Sequence, residues 1–100
     1  MISAAAGDVF TYFDDEQDAY AILKVLRVEL GVIHVRTYQE TFDKAPDTVD
    51  MAKLEWDIAH MPYSNDSFAE LEPQKIGSEK VSEEDLEGYN AWKQEGGVAF

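Results

Sequence analysis

The chain has 100 residues, the length of one domain, and carries 21 aspartates and glutamates against 8 lysines and arginines, a formal net charge of −13. Apolar residues make up 45% and aromatic residues 12%, enough to bury a core and too much for a disordered acidic tail. Cysteine is absent, which excludes disulfides, thiolate zinc sites and a cysteine nucleophile. The scarcity of bases argues against direct nucleic-acid binding, because phosphate contacts need clustered lysine and arginine. No apolar run approaches the roughly 18 residues of a membrane span, and Met1 to Ala6 is too short for a signal peptide. The expected location is cytoplasmic, where a cysteine-free chain needs no special explanation. Residues 1–50 hold ten acids and four bases, and residues 51–100 eleven and four. The negative potential therefore belongs to the whole domain, either as a solubilising surface or as one built to meet a basic partner.

Gly7 to Phe13 is rich in aromatic and β-branched residues and reads as a strand ending at the polar run Asp14-Asp15-Glu16-Gln17-Asp18, a turn signal. Ala19 to Glu29 carries apolar residues on both parities. This pattern suits a long strand covered on both faces, with its inward parity changing at a bulge near Lys24. Helix is the competing reading, since Ala19 to Leu30 contains good helix formers; the flanking strands favour a strand. Leu30-Gly31 reads as a tight turn, and Val32 to Tyr38 alternates with period two, Ile33, Val35 and Thr37 on one face and His34 and Arg36 on the other.

The C-terminal half reads as short helices joined by irregular chain. Asp47 and Asp50 resemble a capping arrangement after Pro46, although Leu54, Trp56 and Ile58 alternate in strand fashion. Ser64 can cap a turn containing Phe68 and Leu71, and Pro73 stops it. Lys75 to Val81 is expected to be extended, with a turn at Gly77-Ser78. The clearest helix spans 82–95: Ser82 is its N-cap, Glu83, Glu84 and Asp85 lie on the positive end of the helix dipole, and Leu86, Tyr89 and Trp92 form an apolar stripe. Gly88 inside it costs roughly 1 kcal/mol relative to alanine, which points to close packing against a backbone or large ring. Val98 to Phe100 can return as a short strand. The expected fold is α+β in a single domain, residues 1–100: an N-terminal antiparallel meander forming a bent sheet or small SH3-like barrel, with short helices and the C-terminal helix packed on it.

Motifs of chemistry are mostly missing. There is no nucleophile elbow, no phosphate-binding glycine loop and no His-Glu-x-x-His. His34 reads as a sheet-surface residue. His60, in a loop, is either a residue that pins the loop by hydrogen bonds or, with Tyr63, part of a pocket between sheet and helices. The run from Asp14 to Asp18 lacks the glycine and terminal glutamate of a calcium loop, so it reads as a solvated hairpin tip. Trp56 and Trp92 sit in apolar patterns that read as core. Neither a cofactor nor a bound metal is expected.

Gly7-Asp8-Val9-Phe10 opening a meander, then His60-Met61-Pro62, then Glu83-Glu84-Asp85-Leu86-Glu87-Gly88-Tyr89-Asn90-Ala91-Trp92-Lys93 and a Gly-Gly close, is similar to a group of small bacterial proteins of unassigned activity. The N-terminal part also resembles the SH3-barrel-like immunity proteins of bacterial polymorphic-toxin systems, where a Gly-Asp pair opens the first strand. The second likeness implies a stoichiometric inhibitor that binds a toxin, and no catalytic residues carry over from either group. Three functions stay open: an acidic, non-catalytic binding protein that covers a basic site such as that of a nuclease, a structural or regulatory interaction module, and an enzyme or small-molecule binder using His60, Tyr63 and nearby acids. The first is preferred, with Asp14, Asp15, Glu16 and Asp18 as the partner-binding residues.

Overall fold

The structure, a computed structural model, describes residues 3–96. Five strands form one antiparallel sheet: β1 (Asp8–Asp14), β2 (Ala19–Glu29), β3 (Val32–Thr37), β4 (Met61–Ser64) and β5 (Gln74–Ser78). Their order is β4-β3-β2-β1-β5, so β4 and β5 are the two edges and the sheet is bent but open. Of the two expected forms, the bent sheet is the one adopted. Helix α1 (Asn65–Glu70) lies in the connection from edge strand β4 to edge strand β5, and α2 (Glu87–Gln94) follows a single 3₁₀ turn at Glu84–Leu86.

The meander forms where the sequence places it. Strand β2 spans Ala19–Glu29, and Ala21 to Leu26 are all buried, which is the two-sided coverage that its mixed parity demands. Its bulge lies at Leu26, where the register with β3 slips between Val25 and Arg27, two residues beyond the expected position. The β2–β3 turn has positive φ at both central residues, 52° at Leu30 and 77° at Gly31, matching the twist of the hairpin it joins.

Each face has its own cover. Phe10, Leu23, Val25, Ile33 and Val35 form an apolar layer with Phe68 of α1, whose ring meets Phe10 edge-on at 5.4 Å. Ser64 caps α1, its hydroxyl accepting from the Ser67 amide at 3.2 Å. Full burial of Phe68 contributes roughly 2–3 kcal/mol.

The opposite face buries polar side chains beside Val9 and Ile22. Thr11, Lys24, His34 and Arg36 are buried there, with Asp85 meeting Lys24 and Arg36, Tyr89 meeting the His34 ring, and the Thr11 hydroxyl donating to the Ala21 carbonyl. The reading of His34 as a surface residue is therefore corrected: it is 1% exposed. A strand face that reads as solvated is dry when its cover brings the matching charge.

Other expectations shift locally. Ser82 and Asp85 bond reciprocally, the Ser82 hydroxyl accepting from the Asp85 amide and the Asp85 carboxylate from the Ser82 amide, as in a capping box. The helix, however, enters as a 3₁₀ turn and becomes α only from Glu87. Asp50 caps a short 3₁₀ turn at Met51–Lys53. β5 runs through Gly77 to Ser78 without a turn, held by pairing with β1. Trp56 is not core; it is 53% exposed, with the Arg36 guanidinium 5.5 Å from its ring centre. The strand expected at Val98 to Phe100 lies outside the described residues. Among the described residues, no helix is long and apolar enough to cross a membrane.

Candidate functional site

The β1–β2 hairpin tip is built by its own acids. The Asp14 carboxylate accepts from the Glu16 amide at 3.0 Å and from the Gln17 side-chain amide at 2.8 Å, a local turn that leaves Asp15 and Glu16 exposed. Asp18 closes the turn with φ 51°, a conformation aspartate tolerates better than most residues. Two of the four candidate partner-binding acids thus shape the tip as well as charge it.

Beside the tip lies a groove of about 640 Å³ on the apolar face of the sheet, within the range of ligand clefts. Tyr12 and Tyr63 are half-buried in its lining, Met61 and Leu71 supply aliphatic surface, and Asp14 and Asp57 supply carboxylates. Asp15 and Glu16 stand at the same opening. Burial pushes the Tyr12 phenol up to about 12, reinforced by Tyr63, Asp14 and Asp57. The Tyr63 phenol is raised by burial and then by Asp14. Both phenols stay neutral at physiological pH, in a field set by the carboxylates.

His60 and Tyr63, expected to share a pocket, do not. Tyr63 lies in β4, opposite Ile33 of β3, whereas His60 lies in the loop just before that strand. Tyr63 joins Met61 above the apolar layer, while His60 turns to the polar face. There Nε2 of His60 lies 2.8 Å from Nδ1 of His34, with the two rings 18° from parallel. Tyr89 meets the His34 ring edge-on at 4.6 Å, and Trp92 does the same at 4.6 Å. The Tyr89 hydroxyl donates to the Glu29 carboxylate, which also holds Arg27 and Lys93. Burial lowers the pKa of both histidines, that of His60 to about 4, with His34 adding to the effect on His60. Each ring is engaged by the other, and the pair pins the loop before β4 to the sheet. No group of three or more histidines, aspartates or glutamates among the described residues is placed to hold a metal ion.

Tyr12 and Asp57 line the groove without a motif in the sequence to single them out. Tyr12 shares the parity of Phe10 on β1, which is the signal that places it on this face. Asp57 lies between Trp56 and Ile58, on the parity that an apolar alternation hides; its amide donates to the Thr37 carbonyl at 2.8 Å, fixing the segment beside β3. A comparison with protein-family models, with curated proteins and with solved structures returns no match.

Proposed function

We propose that this chain is an acidic, non-catalytic binding protein whose partner is a basic protein, in the manner of an immunity-like inhibitor of a basic toxin or nuclease. The supporting observation is how the fold distributes its charge. Among the described residues five of the eight bases form ion pairs, and all five are drawn to only three carboxylates: Lys24 and Arg36 to Asp85, Arg27 and Lys93 to Glu29, and Lys75 to Asp8. Eighteen of the 21 carboxylates therefore have no described lysine or arginine in contact. Lys24 and Arg36 are withdrawn almost wholly from the surface, which a surface serving solubility alone does not require. Concentrating the bases on three carboxylates leaves the other acids unmatched, a negative excess that draws in a basic partner and speeds encounter.

The test is capture of partners from the native host at low and high salt, then association kinetics with the recovered protein at two ionic strengths. Exchanging Asp15, Glu16 and Asp18 for Asn or Gln, with Asp14 kept to hold the turn, is expected to slow association roughly tenfold at low salt and to flatten its salt dependence. Recovery of no basic partner, or association indifferent to salt, overturns the reading.

A further inference from the structure

The fold has a consistent way of holding a cation. Arg27 lies over the Tyr89 ring at 5.2 Å while pairing with Glu29 at 3.0 Å. Lys93 uses the same ring at 5.8 Å and the same carboxylate at 3.5 Å. Arg36 lies over Trp56 at 5.5 Å and pairs with Asp85 at 2.8 Å. In each case an aromatic face and a carboxylate act together on one positive group. The groove beside the hairpin tip assembles the same components, the Tyr12 and Tyr63 rings with the Asp14 and Asp57 carboxylates, and no described lysine, arginine or histidine lines it.

We propose that this groove receives an arginine side chain of the basic partner, its guanidinium against the Tyr12 and Tyr63 rings and within reach of Asp57 and Asp14, its aliphatic stem on Met61 and Leu71. The inference rests on the binding function proposed above and names the chemistry that one face of it recognises.

Three considerations select arginine. A metal ion needs several oxygen ligands converging on one point, and no such group of three is present among the described residues. An ammonium is more strongly hydrated than a guanidinium and gives up that hydration less readily in a half-buried groove. The planar guanidinium stacks on rings and donates to two acceptors at once, and two of the three cations the fold already holds this way are arginines. The neutral phenols help, since an ionised phenolate would trade ring stacking for a simple ion pair. The Met61 and Leu71 surface suits a methylene stem whose charged end reaches past it.

The experiment is an NMR titration of the isotopically labelled protein with N-acetyl-arginine methylamide, with the lysine analogue and the neutral isostere citrulline in parallel. The expected result is shifts concentrated at Tyr12, Tyr63, Asp57 and the tip with arginine, weaker ones with lysine and none with citrulline. Asp57→Asn, an exposed position whose backbone bonds are kept, is expected to weaken arginine binding about fivefold, and Tyr12→Leu by a similar factor. Equal shifts with citrulline, shifts spread over the whole acidic surface, or no shifts with arginine overturn the proposal. The basic partner separates the two readings. If Asp57→Asn and Tyr12→Leu leave its dissociation rate unchanged while the tip exchange slows association, the groove proposal fails and the binding function stands. If blocked arginine fills the groove but no basic protein binds, the groove stands and the function fails.

Discussion

Nδ1 of His34 and Nε2 of His60 are 2.8 Å apart on stacked rings in contact with Tyr89 and Trp92, with His34 fully buried and His60 partly so. Such a bond needs one nitrogen to donate and the other to accept, so two imidazolium rings cannot make it. The charged groups that face it are Glu29 and Arg27 from β2 and Lys93 from α2. Glu29 favours a charged His34, and the two bases oppose it. Burial outweighs these and lowers both histidines, so the folded protein resists protons that the unfolded chain accepts freely.

The pH dependence follows in sign and window. The unfolded histidines titrate near 6.5, and folded His60 titrates at about 4. The stabilising difference is complete above pH 6.5 and is lost progressively as pH falls from 6.5 toward 4, because the unfolded state then binds more protons. Melting temperature is expected to fall between pH 7 and pH 5, while a His60→Gln variant, less stable at pH 7, shows a shallower fall. An equal slope in both proteins would sink this account.

Asp85 ties the 3₁₀ turn and α2 to the sheet. Its carboxylate meets Lys24 at 3.1 Å and Arg36 at 2.8 Å, two cations whose side chains are almost dry. Burial works to raise its pKa, but the Ser82 amide, Lys24 and Arg36 together hold it below the ordinary carboxylate range. Removing the shared anion strands two buried charges, so Asp85→Asn is expected to cost about 3 kcal/mol in urea denaturation. Lys24→Met removes a charge without stranding one, since Arg36 still pairs with Asp85, and is expected to cost about 1 kcal/mol or less. The two costs coming out equal would mean that Asp85 acts only as a cap.

How far these features can be read from the sequence depends on the range of the interactions that create them. The meander, its turns and the Ser64 and Ser82 caps are local, and turn residues, alternation and capping spacing encode them directly. The mixed parity of β2 showed that both faces are covered. It does not show that Lys24, His34 and Arg36 are buried, because Asp85, the partner of Lys24 and Arg36, lies 61 and 49 residues away, and His60, the partner of His34, lies 26 away. His60 and Tyr63 are close in sequence, but only once Met61–Ser64 pairs with β3 does Tyr63 lie over the apolar layer, while His60, just before the strand, meets His34 on the other face. The acidic tip was legible as a turn. The groove beside it was not, since Tyr12, Asp57 and Tyr63 come from three segments that meet only in the folded sheet.

Leu30 offers a simple test of turn chemistry. It is 95% exposed and has φ 52°, a left-handed conformation that costs a leucine about 1–2 kcal/mol. Asparagine tolerates that conformation and is the favoured partner of glycine in such hairpins. Leu30→Asn is expected to stabilise the protein by about 1 kcal/mol and to raise its melting temperature by roughly 4–8 °C. A fall instead would show that the exposed leucine packs on something in solution.

Gly88 sets helix propensity against packing. Alanine in a helix interior gains about 1 kcal/mol over glycine. A Cβ built at this position, however, would stand 2.7 Å from the His60 Cβ, with the Ala59 carbonyl 3.6 Å behind. The nearest atom is no flexible tip but the root of a side chain held by His34, so relief requires α2 to retreat from the loop. Overpacking of this kind costs about 1–3 kcal/mol, and Gly88→Ala is expected to destabilise the protein by about 1 kcal/mol net. Exposed Asn90, one turn-face away on the same helix, supplies the control: Asn90→Ala gains propensity without a clash and is expected to stabilise by roughly 0.5 kcal/mol. The two variants, compared by denaturant unfolding and by the imidazole resonances of His34 and His60, should move stability in opposite directions, with the resonances displaced only by Gly88→Ala. Stabilisation by both would mean that α2 yields freely, and that the histidine pair does not hold the helix against the sheet.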